Sequence, residues 1–585
     1  MRVSISKTQN KSPLHKMRGA LFSVGVASAL INILYLTSSF FMLQVYDRVI
    51  PSRSIPTLVV LGLLALMFFA FQAVFDVLRS RMLVRIAGMI EEENSHSTIW
   101  GVLKSPIRPI VGGDGTRPIR DLDQIKLFLS GQGPAALFDL PWLPFYVFIC
   151  FLFHAWIGYV AITGVVVLGL LALLSHLWTR SSTLVALEAG NVRQQFTQTV
   201  VQNTEIIQAL GMTRRVIASW ERHTADFRSK SRRAADISNG LSAISKVARI
   251  VLQSFALATG ALLVIKGLAS PGIIIAGSIL TSRALAPLDA AIANWRNFVA
   301  TLQSWNELMK FVAALPPQSE RLALPKPTRE LSVEHLSGGP PVGKGEQLRP
   351  SVLDACFRVA SGSALGVIGP SASGKSTLAR LLVGVWLPYR GSIRLDGSDI
   401  NKWNDSDIGP HIGYLPQSVE LMNGTISENI SRFELDAPAD KVLAAANIAG
   451  VHELILKLPE GYETEIGPSG TFLSAGQRQR VALARALYGE PFIVVLDEPN
   501  SNLDSEGEYA LDKAISSVRA RGGIVIVVAH RPAALNAVDL VMMMDNGRIS
   551  AFGTKEVVLN QVLRRRVNTV AQLKVVGETS ENVTE

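Results

Sequence analysis

Charge disappears from the first half of this chain over three long stretches. Leu21 to Tyr46, Ile55 to Phe75 and Leu140 to Thr179 contain no Asp, Glu, Lys or Arg. A helix crosses the hydrocarbon core of a bilayer with about 20 apolar residues. The first two stretches therefore predict one span each, and the third predicts two, with a tight turn near His154-Ala-Trp156. Two weaker apolar runs, Val247 to Ile265 and Gly272 to Leu288, bring the count to six. Arg249, Arg283 and Asp289 belong near the ends of these runs or facing an interior path, because an ionised group facing lipid is costly. A buried helix of a soluble core is the competing reading. It fails on length, since the first stretch stays uncharged for 26 residues.

The polar segments between the spans set the orientation. Residues 1–18 carry five Lys or Arg, 79–134 carry eight and 179–249 carry eleven, whereas the intervening short loops offer only Arg48, Arg53 and Lys266. Basic segments stay on the cytoplasmic side, so both chain ends are expected there. The apolar run behind the basic start is too long for a signal-peptide core and lacks a small-residue cleavage pattern, so it is read as a retained span. From Ala186 to Arg222, Val192, Phe196, Val200, Ile206 and Leu210 recur near helical spacing, which predicts a helix continuing out of the membrane. The same bias accounts for a net charge of +10 without nucleic acid, and no basic stripe interleaved with aromatics argues otherwise. Two cysteines, Cys150 in a span and Cys356 beyond the spans, support no disulfide, CxxC metal site or thiol chemistry.

The second half carries chemistry. Ala364 to Ile368 reads as a short buried strand, Gly369-Pro-Ser-Ala-Ser-Gly-Lys-Ser376 as a glycine-rich loop, and Lys375 to Val383 as a helix. That strand–loop–helix order is what a phosphate loop requires. Backbone N–H groups of Gly369, Ser371, Ala372, Ser373, Gly374, Lys375, Ser376 and Thr377 are expected around phosphate at a helix N-terminus, where aligned dipoles favour an anion. Lys375 is expected on the β- and γ-phosphates of ATP, and the Ser376 hydroxyl on Mg²⁺. Ile493 to Leu496 is a second buried strand ending in Asp497-Glu498, with Asp497 placed for the Mg²⁺ shell and Glu498 for the attacking water as general base. Ile524 to Ala529 is a third, ending in His530, which is expected to bridge the γ-phosphate and the water. A glycine-rich turn, a structural carboxylate pair and an ordinary loop histidine are the bland readings. Order and spacing together argue against all three.

Leu473-Ser-Ala-Gly-Gln477, followed by a helical run, resembles the signature motif of ABC ATPases, with Ala475 where glycine is commonest. A methyl group is tolerated there if the backbone needs no positive φ. The resemblance implies that Ser474, Gly476 and Gln477 contact the γ-phosphate held by the other cassette of a head-to-tail dimer. It also makes Gln417 the Q-loop and a Mg²⁺ neighbour, Ser501 to Asp504 the D-loop, and Thr464 to Gly467 the X-loop of exporters. One piece is missing. The stretch Leu336 to Val342, where family members place an aromatic residue to stack on adenine, has none, so either Arg349 or an apolar side chain packs there instead or adenine is held loosely.

Met42-Leu-Gln-Val-Tyr-Asp-Arg-Val-Ile-Pro51, Phe138-Asp-Leu-Pro-Trp142 and Arg283-Ala-Leu-Ala-Pro-Leu-Asp289 with Trp295 narrow the likeness. They are similar to type I secretion permease/ATPases of Gram-negative bacteria, in the branch exporting proteases, lipases and RTX proteins. The likeness spans residues 17–563. It implies an α-helical membrane domain of six spans joined to an α/β P-loop ABC nucleotide-binding domain. It further implies an inner-membrane homodimer, a periplasmic membrane fusion protein, a TolC-like outer-membrane channel, and secreted polypeptide substrates with an uncleaved C-terminal signal. The expected partition is a cytoplasmic segment 1–18, a membrane domain 19–315 with coupling helices resting on the cassettes, a Pro- and charge-rich linker 316–330, a cassette 331–563 and a polar tail 564–585. About 20 residues before the first span are too few for a peptidase domain, so no leader cleavage is expected. A lipid or drug exporter shares every cassette motif and is separated only by the membrane-half motifs. An ATP-gated channel is disfavoured by Glu498 with His530, and a soluble ABC ATPase by the spans.

Overall fold

The computed structural model describes residues 18–104, 115–315, 324–342, 347–467, 470–529 and 535–561. The chain divides into two compact units with their border after Leu315.

Among the described residues of the first unit all regular structure is helical. In chain order it runs α1 Arg18–Leu34, α2 Leu36–Gln44, α3 Ile55–Lys104, α4 Arg117–Leu129, α5 Gly133–Asp139, α6 Leu143–Phe153, α7 Ala155–Gln202, α8 Thr204–Ala209, α9 Thr213–Ile265 and α10 Pro271–Ala314. Among the described residues six helical segments are long and apolar enough to cross a membrane: Arg18–Ser52, Ile55–Lys104, Gly133–Phe153, Ala155–Gln202, Thr213–Ile265 and Pro271–Ala314. Each contains one expected span. The turn in the long uncharged stretch falls at His154, whose extended backbone breaks the helix and whose ring nitrogen accepts the Trp156 N–H, capping α7. The 186–222 segment is helical as expected, and it folds as the end of α7, the short α8 and the start of α9, with Ile206 and Leu210 exposed. Gly211 adopts a positive φ of 61° there, which stops the helix.

Several polar and charged groups on these helices are paired with one another. Arg79 on α3 reaches Asp139 at 2.9 Å, and Asn32 on α1 donates to the same carboxylate at 2.8 Å. The Tyr146 hydroxyl on α6 donates to the Asn32 backbone carbonyl at 2.8 Å. Removing one member of such a buried pair strands a charge in a medium of low dielectric and costs about 3–5 kcal/mol, so the network fixes the register of three spans. Arg249 pairs with Asp289 at 3.1 Å between α9 and α10, and the Arg283 guanidinium lies 4.4 Å from the Tyr35 ring centre. Neither arginine is left facing lipid alone. Asp47 accepts the Ser270 hydroxyl and the Gly272 N–H, so a carboxylate sits at the N-terminus of α10 where the helix dipole favours it.

The second unit is α/β. An antiparallel sheet of order β2-β1-β4-β5 comprises β1 Glu330–Gly338, β2 Val352–Ala360, β4 Arg390–Leu395 and β5 Ser398–Asp399. The second sheet has the order β10-β9-β3-β8-β7-β6, with β3 Ala364–Ile368, β6 Ile412–Leu415, β7 Ile493–Asp497, β8 Ile524–Val528, β9 Leu540–Asp545 and β10 Arg548–Thr554. Strands β9, β3, β8, β7 and β6 run parallel. Both β7 and β8 are buried along their whole length, which explains why they read as unbroken runs of Ile, Val and Leu. The helices that matter below are α11 Lys375–Leu382, α12 Ala439–Ile448, α13 Ala475–Leu487 and α14 Ser505–Ala520. A core of α12, α13 and α14 side chains covers one face of the parallel sheet, and β1, β2 and α11 cover the other.

Candidate functional site

The carboxyl ends of β3, β7, β8 and β6 share one edge of the parallel sheet, and in an open α/β sheet ligands bind in the crevice there. The β3 edge leads into the glycine-rich loop. Gly369 has φ of 152°, and a Cβ on it would stand 2.2 Å from the Met544 carbonyl oxygen. Gly374 has φ of 94°, and its Cβ would stand 2.2 Å from the Ser351 carbonyl oxygen. Conformation and space both demand glycine at these two positions. Between them Ala372 is held at φ of 64°, an uncommon state for a residue with a side chain. Ser371 and Ala372 are exposed at the tip, Ser373 is buried, and Lys375, Ser376 and Thr377 form the first turn of α11. The loop therefore ends on a helix N-terminus, whose unpaired N–H groups attract an anion.

Lys375 is buried, and its ammonium donates to the carbonyls of Gly369 at 2.9 Å and Pro370 at 2.8 Å. Burial lowers its pKa, and the neighbouring Glu498 and Asp497 oppose that shift. Asp497 ends β7 with 1% of its surface exposed; its Oδ1 accepts the Ser376 hydroxyl at 3.2 Å, and its Oδ2 has no hydrogen-bond partner among the described residues. Burial raises this carboxyl's pKa, with the Ser376 hydrogen bond opposing. A buried carboxylate oxygen without a donor, beside a serine hydroxyl, is an oxygen pair that a hard divalent cation would satisfy. Ser376 and Asp497 thus fit Mg²⁺ on the chemistry of their donors.

Glu498 follows at φ of 52°, a left-handed conformation rare for its residue type, anchored by its N–H to the Val528 carbonyl at 3.0 Å. Gln417 lies exposed two residues past β6, whose Leu415 is paired with Leu496. It therefore emerges at the same edge as Asp497. His530 lies outside the described residues; β8, which precedes it, ends on that edge, with the Ala529 N–H bonded to the Val367 carbonyl.

The signature segment is a helix N-terminus of its own. The Ser474 hydroxyl accepts the Gln477 N–H at 3.3 Å, and the Gln477 side chain accepts the Ser474 N–H at 2.9 Å, a reciprocal capping box opening α13. Ala475 is the first helical residue and has no positive φ, so alanine is accommodated as expected. Gly476 allows the Asn502 carbonyl to approach to 3.0 Å of where a Cβ would be. Asp504 caps α14 through the Gly507 N–H at 2.9 Å and pairs with Arg480. Those two interactions hold its carboxyl below the usual range.

Two residues outside the expected set connect these parts. Gln479, buried on α13, donates to the carbonyl of Pro499 and accepts the Asn502 N–H at 3.1 Å, bracing the loop between Glu498 and the D-loop. Its sequence signal was only a polar residue on the buried face of a helix. Beside the Leu336 to Val342 stretch, Tyr389, just before β4, donates its hydroxyl to the Pro340 carbonyl, and its N–H bonds the Ser337 carbonyl at 2.8 Å. An aromatic ring thus lies beside the stretch that lacks one, supplied from about fifty residues downstream. Arg349 is exposed, and its carbonyl packs against Gly339.

A nucleotide-binding P-loop unit on the same chain as six membrane-length apolar helices defines an ABC exporter, an ATP-hydrolysing transporter. Family comparison agrees: residues 352–501 match the ABC transporter family and residues 21–287 the ABC transporter transmembrane region. The fold is similar to a bacterial Atm1-family ABC exporter solved with ATP bound, at a TM-score of 0.79 over 93% of this chain and 96% of that one, with 22% identity. The chain is 56% identical to the type I secretion system ATP-binding protein PrsD of Rhizobium meliloti (strain 1021), over 99% of this chain and 100% of that protein. It is 26% identical to the cyclolysin secretion/processing ATP-binding protein CyaB of Bordetella pertussis (strain Tohama I), over 93% of this chain and 76% of that protein. The chain belongs to the family of type I secretion system ATP-binding proteins, and it is a multi-pass membrane protein that binds ATP.

Proposed function

We propose that this chain is the energy-converting subunit of a type I secretion system in the inner membrane of a Gram-negative bacterium, exporting polypeptides at the expense of ATP. The observation that carries this reading is the 56% identity to a type I secretion ATP-binding protein over essentially both full lengths, together with a crevice suited to phosphate chemistry. A periplasmic membrane fusion protein and a TolC-like outer-membrane channel are the partners such a system implies. The polypeptides themselves are proposed to be recognised through C-terminal signals.

The chemistry proposed for the site is positioning and charge balance. The loop N–H groups from Gly369 to Thr377 hold phosphate, and Lys375 exchanges its carbonyl partners for phosphate oxygens. Ser376, Asp497 and Gln417 would hold Mg²⁺, which when bound supplies a positive charge against the phosphate oxygens. Glu498 takes the proton of the attacking water, and His530 orients that water. The strained backbone at Glu498 and the Gln479 brace support a carboxylate held in one place. The exposed capping box at Ser474 supports a site completed by the signature helix of a second copy. Closure of two copies on ATP then biases the membrane helices through differential affinity of two states for ATP. The test is ATPase turnover of purified protein in lipid nanodiscs, with and without a peptide copying the C-terminus of a polypeptide encoded beside this gene. Stimulation by the peptide supports the reading; stimulation by lipid alone favours a lipid exporter.

A further inference from the structure

On the antiparallel sheet of the cassette, β1 and β2 pair with two consecutive irregularities. Val333 faces Phe357, Leu336 faces Ala355 and Gly338 faces Val352. Between the first two pairs, Glu334 and His335 stand against Cys356 alone; between the next two, Leu353 and Asp354 stand against Ser337 alone. Each bulge is thus one residue too long on opposite strands. At each one a side-chain-bearing residue takes a left-handed backbone, His335 at φ of 47° and Asp354 at φ of 51°. Such conformations cost about 1–3 kcal/mol each and persist only where the surrounding structure enforces them.

The result of both bulges is a convergence of three side chains on the solvent face. His335 Nδ1 lies 2.8 Å from Asp354 Oδ1 and 3.7 Å from Cys356 Sγ, and the three potential ligand atoms all lie within 4.8 Å of one another. In a tetrahedral zinc site, metal–nitrogen and metal–oxygen bonds of about 2.0–2.2 Å and a metal–sulfur bond of about 2.3 Å separate ligand atoms by roughly 3.2–3.6 Å. Small side-chain rotations bring the present spacings to those values. The Cys356 sulfur already accepts the His335 N–H at 3.1 Å, and the Asp354 N–H is held by the Ser337 hydroxyl at 3.0 Å. Hydrogen bonds of this kind orient ligands. All three groups are exposed, so a metal can enter without unfolding.

We infer that His335, Asp354 and Cys356 form a surface site for one Zn²⁺ per chain, with a fourth position open to water. A mixed nitrogen, oxygen and sulfur donor set suits this borderline-soft ion and not Mg²⁺ or Ca²⁺, which prefer all-oxygen sites. The site shares no residue with those proposed for ATP.

The test uses tag-free, full-length protein in nanodiscs without nucleotide, titrated with Zn²⁺ against a chromophoric chelator and separately with Co²⁺. The expected result is one equivalent of tight binding, with Co²⁺ giving a thiolate charge-transfer band in the near ultraviolet. Cys356→Ser should abolish the band, and His335→Ala and Asp354→Asn should each weaken binding by at least about tenfold. ATP affinity, measured in parallel, reports that the variants are folded. Absence of the band at one equivalent, or unchanged affinity in Cys356→Ser with ATP binding intact, would overturn the site and leave His335 and Asp354 as a hydrogen-bonded brace of the bulge.

Discussion

Replacing Glu498 by Gln keeps the side chain's size and its backbone conformation, since the N–H bond to Val528 does not involve the carboxylate. What it removes is one negative charge and one proton acceptor. The charge acts on both neighbours: it raises the pKa of Lys375 and that of Asp497. In Glu498→Gln the crevice becomes less negative, so a polyanionic nucleotide is bound at least as well as before. Loss of a positioned general base costs about 10²–10⁴ in rate, or roughly 3–5 kcal/mol at about 1.4 kcal/mol per tenfold. The assay pairs steady-state phosphate release with retention of labelled ATP on the purified protein. We expect release to fall by about 10²-fold or more while ATP remains bound and a nucleotide-loaded dimer accumulates. Release within about threefold of the parent, with binding intact, would refute the assignment of Glu498 as base and leave the attacking water to another group.

Gly374→Ala forces a Cβ to 2.2 Å from the Ser351 carbonyl at φ of 94°, so ATP binding should fall below detection by equilibrium dialysis while the membrane helices still extract as folded protein; unchanged ATP affinity would refute the cradle. Burial raises the pKa of Asp497 above its unfolded value, so the empty cassette carries a stabilising proton that is lost as pH rises from the ordinary carboxylate range through the folded value. Asp497→Asn should therefore flatten the fall in melting temperature over that window and abolish stabilisation by ATP with Mg²⁺, both read by a nucleotide-free and nucleotide-loaded melt series. With no aromatic residue in Leu336 to Val342, KM values for ATP and GTP should agree within a few-fold. Tyr389→Ala, which frees the Pro340 carbonyl, should raise both; a strong ATP preference that disappears in Tyr389→Ala would instead assign adenine stacking to that ring.

The legible parts of this chain were those in which one local pattern fixes one local structure. Uncharged length gave four of the six spans and weaker apolar runs the other two, and the extended backbone at His154 fell where a turn was expected in Leu140 to Thr179. The phosphate loop was legible because its strand, its two crowded glycines and its helix are contiguous. Reading failed where the determining contact is distant in sequence. Gln479 and Tyr389 act on carbonyls twenty and forty-nine positions away, so neither has a local signature. Asp47 and Asp139 served in the sequence only as family resemblance; the fold makes one a cap for α10 and the other the hub joining Arg79 and Asn32. Likewise, two cysteines without a CxxC pair gave no hint of a metal site, because His335 and Asp354 are brought to Cys356 only by bulges in a paired sheet.

The central claim, that ATP hydrolysis at Glu498 drives polypeptide export, is tested most directly in the host. The chromosomal gene is replaced by its Glu498→Gln form, and the proteins of the culture medium and of the cells are compared with the parent strain by quantitative mass spectrometry. The account predicts that one or a few polypeptides disappear from the medium, remain inside the cell, and require their C-terminal segments for release from the parent strain. An unchanged set of secreted proteins, alongside altered export of lipids or small molecules, would contradict it.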